Sequence, residues 1–333
     1  MGILFELILV GYGRVAREFV ALLDAQREVQ AQVVGTVRRR PDSVGYLRRL
    51  VRQHATAARQ RRLVVVEATT LDIERGEPAT SHIRMALRNG AHAITVNKGP
   101  VGFAYAGLAD EAAQANRSFL FEGTVMDGVP IFSVARRLLP GVTITGFRGV
   151  INSTTNYLIT AMERGQTFES ALAATQRAGI AEADASLDVD GWDAAAKTAA
   201  LANVLLDARI TPHAVKRQGL TSATGDSARL ALASGRRTKL VASARGRGPA
   251  VDARVGLTDL PAGDLLARLD GAQNALVLET DLLDEIAIVQ LGSGLTQTAY
   301  GLLADLATIA RDVTGAGAAP RQRARTAPRR RTL

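Results

Sequence analysis

The amino-acid sequence predicts an α/β protein: a Rossmann-type doubly wound parallel sheet plus an α+β domain whose sheet is mainly antiparallel. Three observations carry this. Through about residue 129, apolar runs of strand length alternate with amphipathic helical stretches, the rhythm of βαβ units. The first run, "FELILVGYG", feeds a glycine turn and then a helix. After residue 130 come strands such as "VTITGFRGVI", "TKLVASARG" and "ALVLETDLLDEIAIVQ", which suit an antiparallel sheet with helices on one side.

Taken in order, the first helix carries Val15, Phe19, Leu22 and Leu23 at helical spacing, and "VQAQVVGTV" is the second strand. A variable basic stretch, "RRRPDSVGYLRRLVRQHATAARQRR", leads to a third strand, "LVVVEATT". A helix near "SHIRMALRNG", ended by Gly90, a strand "HAITVN", a helix to about Asn116 and a strand "SFLFEGTV" complete the first domain, residues 1–129. The second domain spans 130–294. A helix near 295–312, after "GSGLTQTA", packs back onto the first.

Length and composition narrow the function. The 333 residues suit two domains with a sizeable core, and the chain has no Cys, which excludes disulfides and thiolate metal sites and fits a reducing cytoplasm. No targeting signal or membrane span is expected, since Glu6 interrupts the N-terminal apolar run. Six arginines of the tail after Asp312 supply most of the net charge of +9. With aromatics at only 4%, the body is a poor nucleic-acid binder, and residues 316–333 read as a disordered basic tail capable only of nonspecific contact.

"GYGRVA" places Gly11 and Gly13 between a buried strand and a helix opened by Arg14 and Val15. Glycines there allow a tight turn and let backbone N–H groups approach a pyrophosphate at the helix N-terminus. The end of the second strand offers Arg38, Arg39 and Arg40 where an NAD site has an acid, so NADP is expected, with NAD possible; a solvated basic loop would use the same residues.

"GIAEADASLDVDGWDAAAK" sets Glu182, Asp184, Asp188, Asp190 and Asp193 against Lys197. The spacing fails an EF-hand, and no His lies nearby. Asp193 and Lys197 share one face of a helix whose alanines imply close packing, so the pair lines a cleft rather than a surface. Ahead of it, a helix capped by Thr167 stops at Gly179.

These residues resemble homoserine dehydrogenase, from about Leu7 to Asp312. Glu182, Asp184, Asp188, Gly191, Asp193 and Lys197 fit the family's acidic motif; "TVNKGPV", "FEGTVMDGVPIF", "GVINSTTNYL" and "GSGLTQTA" fit four more segments in order. The resemblance implies reversible reduction of L-aspartate 4-semialdehyde to L-homoserine, in threonine, methionine and isoleucine biosynthesis. It implies Lys197 as general acid with Lys98 beside it, and Glu182, Asp193, Asp188 and Thr154 on the amino acid. Two neighbouring ammoniums should depress a lysine pKa. It further implies Thr69, Lys98, Gly179 and Gly294 at the cofactor. A structural monovalent cation, sodium, would sit on Glu122 and the carbonyls of Val125, Asp127 and Val129. The second domain would bind substrate and form a homodimer. Ser153, where the family has glycine, Asp127 and Leu295 depart from the pattern, and no aspartokinase or ligand-sensing domain is present. A paralogue acting on another small amino-acid aldehyde, or a silent nucleotide-binding regulator, are the alternatives.

Overall fold

Strand β1 (Leu4–Val10) is buried on both faces from Phe5 onward, as a central parallel strand must be. The computed structural model describes residues 4–55, 62–181 and 184–314. After β1 come α1 (Arg14–Ala25), β2 (Gln30–Val37), α2 (Ser43–His54), β3 (Leu63–Glu67), α3 (Ala79–Arg88), β4 (His92–Thr95), α4 (Lys98–Ala115) and β5 (Phe119–Leu120). The five strands form one parallel sheet ordered β2-β1-β3-β4-β5. Successive connections change direction between β1 and β3, and ligands of such sheets bind above the C-terminal strand ends at that point.

The basic stretch after β2, which reads as a connection, holds α2. Asp42 caps it by accepting from Gly45 N at 3.0 Å, and Leu47 and Val51, four residues apart, are buried. The cap and that spacing are the sequence signal, obscured by the surrounding arginines.

In the second half, α5 (Ile131–Ser133) runs into a π turn. Then follow β6 (Ile144–Val150), α6 (Ser153–Glu163), α7 (Phe168–Arg177), α8 (Ser186–Val189), α9 (Trp192–Leu205), β7 (Lys216–Arg217) and α10 (Thr224–Ala233). Strands β8 (Arg236–Arg245), β9 (Asp252–Pro261), β10 (Asn274–Thr280) and β11 (Glu285–Gln290) complete a sheet ordered β11-β10-β6-β8-β9-β7. It is antiparallel except where the short β7 pairs parallel to β9. Along β8, Leu240, Ala242 and Ala244 enter the main core, while Val241, Ser243 and Arg245 line the opposite face.

Helix α11 (Leu295–Thr314) returns to the first sheet, where Leu302, Leu306 and Ile309 pack with Phe5, Leu7, Leu9 and Phe19. A Cβ on Gly301 would lie 2.7 Å from the Gly123 Cα, so two glycines let the connection after β5 cross α11 backbone to backbone. The tail expected to be disordered lies outside the described residues. Among the described residues no helix is long and apolar enough to cross a membrane.

Candidate active site

Small residues bring α4 and α9 together. Ala194, Ala195, Ala196, Ala199 and Ala200 are buried on α9, and a Cβ on Gly102 of α4 would stand 3.4 Å from the Ala196 carbonyl. Asn203 Nδ2 ties the pair by donating to the Val101 carbonyl at 3.1 Å. This packing delivers the first residue of α4, Lys98, to the first turn of α9. Asn97 caps α4 by accepting from Gly99 N at 2.8 Å, which fixes where Lys98 emerges.

There one carboxylate holds two ammoniums. Lys98 Nζ lies 3.1 Å from Asp193 Oδ1, and Lys197 Nζ lies 3.0 Å from Asp193 Oδ2. Lys197 Nζ also donates to the Ile151 carbonyl at 2.8 Å. Asn152 Nδ2 donates to Asp193 Oδ2 at 2.8 Å and to Asp188 Oδ1 at 2.6 Å, while its Oδ1 caps α6 at Thr155 N. The i,i+4 pair anticipated on α9 is therefore part of a five-residue node with Lys98, Asn152 and Asp188.

Burial opposes charge throughout this node, and the contacts decide each outcome. Burial works against the Lys98 ammonium, but Asp193 outweighs it and holds Lys98 above the ordinary lysine range. Burial alone would raise Asp193; Lys197 and Lys98 reverse this and keep it well below the carboxylate range. Asp188 is raised, by burial first and by repulsion from Asp193 second. The expectation that neighbouring ammoniums depress a lysine is thus corrected for Lys98, because the carboxylate between them dominates.

The glycine turn expected to hold a cofactor follows β1 and abuts the loop after β3. Gly11 has φ +82°, and a Cβ there would meet the Ala68 carbonyl at 2.6 Å, so glycine is required. Gly13 precedes α1 with open space around its Cβ position and no side-chain cap, which leaves the N–H groups at Arg14 and Val15 available to a phosphate. The Arg38 guanidinium stands 5.6 Å from the Tyr12 ring inside the glycine turn, and Arg40 stacks on Tyr46 at 4.1 Å; Arg39 is exposed beside them. Thr69 follows β3, its N–H and hydroxyl both donating to buried Glu67 Oε1. Asn97 Nδ2 donates to the Thr69 carbonyl at 3.1 Å, linking this loop to Lys98.

Glu122 is buried where the first sheet ends. Its Oε1 accepts from Phe132 N at 2.7 Å, and its Oε2 accepts from Ser133 N at 2.9 Å and from the Ser133 hydroxyl. Burial raises its pKa, and Asp305, whose Oδ2 accepts from Glu122 N at 2.9 Å, is raised well above the carboxylate range by burial and by Glu122 itself. Arg136 and Arg137 offset part of this charge, but among the described residues neither carboxylate has an ion pair, so a monovalent cation would suit the site in charge. The Val129 carbonyl, however, already accepts from Ile131 N at 2.8 Å. Among the described residues no group of three or more His, Cys, Asp or Glu is placed to hold a metal.

Of the remaining anticipated residues, Glu182 lies outside the described residues. Gly179, at φ +71°, ends α7 in a Schellman turn with Gly179 N on the Gln176 carbonyl and Ile180 N on the Thr175 carbonyl. Gly294 precedes α11, next to α1, where Thr296 Oγ1 donates to Glu18 at 2.6 Å. Thr154 is buried at the start of α6 and hydrogen-bonds Asp188. Asn152 and Asn97 were not among the anticipated site residues. An Asn immediately before each helix, next to a motif residue, is the signal that marks them.

Comparison with known proteins agrees with this geometry. Residues 130–307 match the family model described as homoserine dehydrogenase, and residues 11–122 match the homoserine dehydrogenase NAD-binding domain. The chain is 38% identical over 252 residues to the NAD(+)-dependent homoserine dehydrogenase of Pseudomonas canavaninivorans, covering 75% of this chain and 72% of that protein. It is 33% identical over 323 residues to the homoserine dehydrogenase of Sulfurisphaera tokodaii, covering 92% and 99%. A homoserine dehydrogenase structure from Thiobacillus denitrificans superposes with a TM-score of 0.82 at 26% identity, covering 94% of this chain and 74% of that one. The chain therefore belongs to the homoserine dehydrogenase family of NAD(P)-dependent oxidoreductases.

Proposed function

We propose that the chain interconverts L-aspartate 4-semialdehyde and L-homoserine with NADP(H) preferred, using Lys197 as the proton donor. The Lys98–Asp193–Lys197 bridge is the observation that carries this reading. A nicotinamide cofactor, its pyrophosphate held by Gly11, Gly13 and the start of α1, would supply or accept the hydride. As the aldehyde carbon gains hydride its oxygen becomes an alkoxide, and the Lys197 ammonium gives it a proton; in the other direction Lys197 takes that proton back. Lys98 adds a second positive charge beside the developing alkoxide. Asp193 holds both lysines close and favours the charged form of Lys98, and Asp188, Thr154 and Glu182 serve the amino-acid end. Arg38, Arg39 and Arg40 would hold a 2′-phosphate.

A monovalent cation on Glu122 and the carbonyls of Val125, Asp127 and Val129 would offset the buried charge near Asp305 without entering the chemistry. We further propose domain boundaries near residues 129 and 294, and a homodimer through the sheet face bearing Val241 and Ser243. Oxidation of L-homoserine by purified protein, followed by absorbance of the reduced cofactor with NADP and NAD in parallel, tests the reading. No turnover with either cofactor would overturn it, and equal or better efficiency with NAD would remove the NADP preference.

A further inference from the structure

A relay of five side chains joins the start of α6 to the start of α11. Ser153 Oγ accepts from Asn274 Nδ2 at 2.7 Å, and the same Nδ2 donates to Gln290 Oε1 at 3.3 Å. Gln290 Nε2 donates to Asp127 Oδ2 at 2.7 Å, and the other oxygen of Asp127 accepts from the Thr298 hydroxyl at 2.6 Å. Asn274 and Gln290 are buried, and Asn274 Oδ1 has no hydrogen-bond partner.

The relay has a fixed direction. A carboxylate only accepts, so Asp127 requires the amino group of Gln290. Gln290 must then turn its oxygen to Asn274, and Asn274 its amino group to both Gln290 and Ser153. Asn274 does this although its own oxygen is left buried and unpaired, so its orientation is imposed from outside. At the far end Ser153 is made an acceptor, and its hydroxyl hydrogen, which has no acceptor among the described residues, is left for a ligand.

We infer that Asp127, acting through Gln290 and Asn274, makes Ser153 an obligate hydrogen-bond donor to the α-carboxylate of the amino-acid substrate. This rests on the substrate assignment above. Ser153 opens α6 next to Asn152, which touches Asp188 and Asp193. The Ser153 and Thr154 N–H groups at the same helix end have no acceptor among the described residues, because Asn152 Oδ1 takes Thr155 N. Free amides, a helix N-terminus and a hydroxyl forced to donate all favour an anionic oxygen. Ser153 thereby becomes a specificity residue, and Asp127, Gln290 and Asn274 position it.

The test is a double-mutant cycle read by calorimetric binding of L-homoserine to the cofactor complex, with 3-aminopropan-1-ol, which lacks only the carboxylate, as the second probe. Ser153→Ala should weaken L-homoserine about tenfold and leave 3-aminopropan-1-ol unaffected. Asp127→Ala should weaken L-homoserine roughly three- to tenfold beside Ser153 but have no effect in the Ser153→Ala background. Cofactor titration checks that each variant is folded. If Asp127→Ala does not bind cofactor, Gln290→Met cuts the same relay and must show the same non-additivity. Equal L-homoserine binding by wild type and Ser153→Ala overturns the inference, as does a full Asp127 effect without Ser153. A loss shared by both probes overturns the carboxylate assignment. Wild type that binds no L-homoserine overturns the substrate reading itself, a result separable from the others.

Discussion

At the end of β2, Arg38, Arg39 and Arg40 stand exposed, with aromatic rings beside Arg38 and Arg40 and no ion pair among the described residues; at the start of α9, Lys98 and Lys197 share one buried carboxylate. Both regions gather positive charge. The first leaves its donors unspent, so a phosphate arriving there meets guanidiniums that have no acid to give up. The second neutralises its charge internally, which suits cations proposed to act in the reaction rather than to capture a ligand.

The largest effect should come from breaking the second region. Lys197→Ala should cost about 10²–10⁴-fold in turnover while cofactor binding, measured by titration, is retained. A variant keeping more than about a tenth of wild-type kcat would remove Lys197 from proton transfer. Next, Asp193→Asn takes away the largest charge that raises Lys98, leaving burial, which lowers it, opposed by the weaker pulls of Asp188 and Asp127. The basic limb of the kcat/KM profile for homoserine oxidation should move to lower pH, with a loss on the order of 10²-fold at neutral pH. An unmoved limb would mean that Lys98 does not contribute to it.

Effects in the first region should be smaller and confined to cofactor choice. Replacing Arg38, Arg39 and Arg40 together by Ala should reduce the NADP-to-NAD efficiency ratio by about tenfold or more, since each charge-assisted bond is worth roughly 1.5–3 kcal/mol. An unchanged ratio would return these residues to the role of a solvated loop. Smallest of all, ending the chain at Gly317 should leave kcat/KM within error; a collapse would show that the arginine tail docks at one of the two regions.

The sequence made the first region legible because its signals are local. A glycine turn between strand and helix, and three consecutive arginines where an acid is expected, need no tertiary contact to be read. The second region was legible only in part. Asp193 and Lys197 declared themselves by i,i+4 spacing, but the 3.1 Å contact from Lys98 depends on two helices packing through Gly102 and the α9 alanines. The sign of the Lys98 shift depended on that contact. Asn152 and the Ser153–Asp127 relay join residues far apart in the chain, and periodicity carries no information on such pairs. Helix α2 was missed for the opposite reason: its apolar residues are interleaved with Arg48, Arg49 and Arg52, and further arginines flank the helix in sequence.

Helix α11 has a consequence for how the protein is made. The apolar face of the first sheet, with Phe5, Leu7 and Leu9, is covered by a helix that begins only at Leu295. A ribosome adding about 5–20 residues per second needs roughly 15–60 s to travel from one to the other. Throughout that interval the earliest strand is synthesised and its closing partner is not, and the Gly123–Gly301 crossing cannot form. The nucleotide-binding half is therefore begun first and finished last, with only α1 of the final partners of that face made before α11 is synthesised.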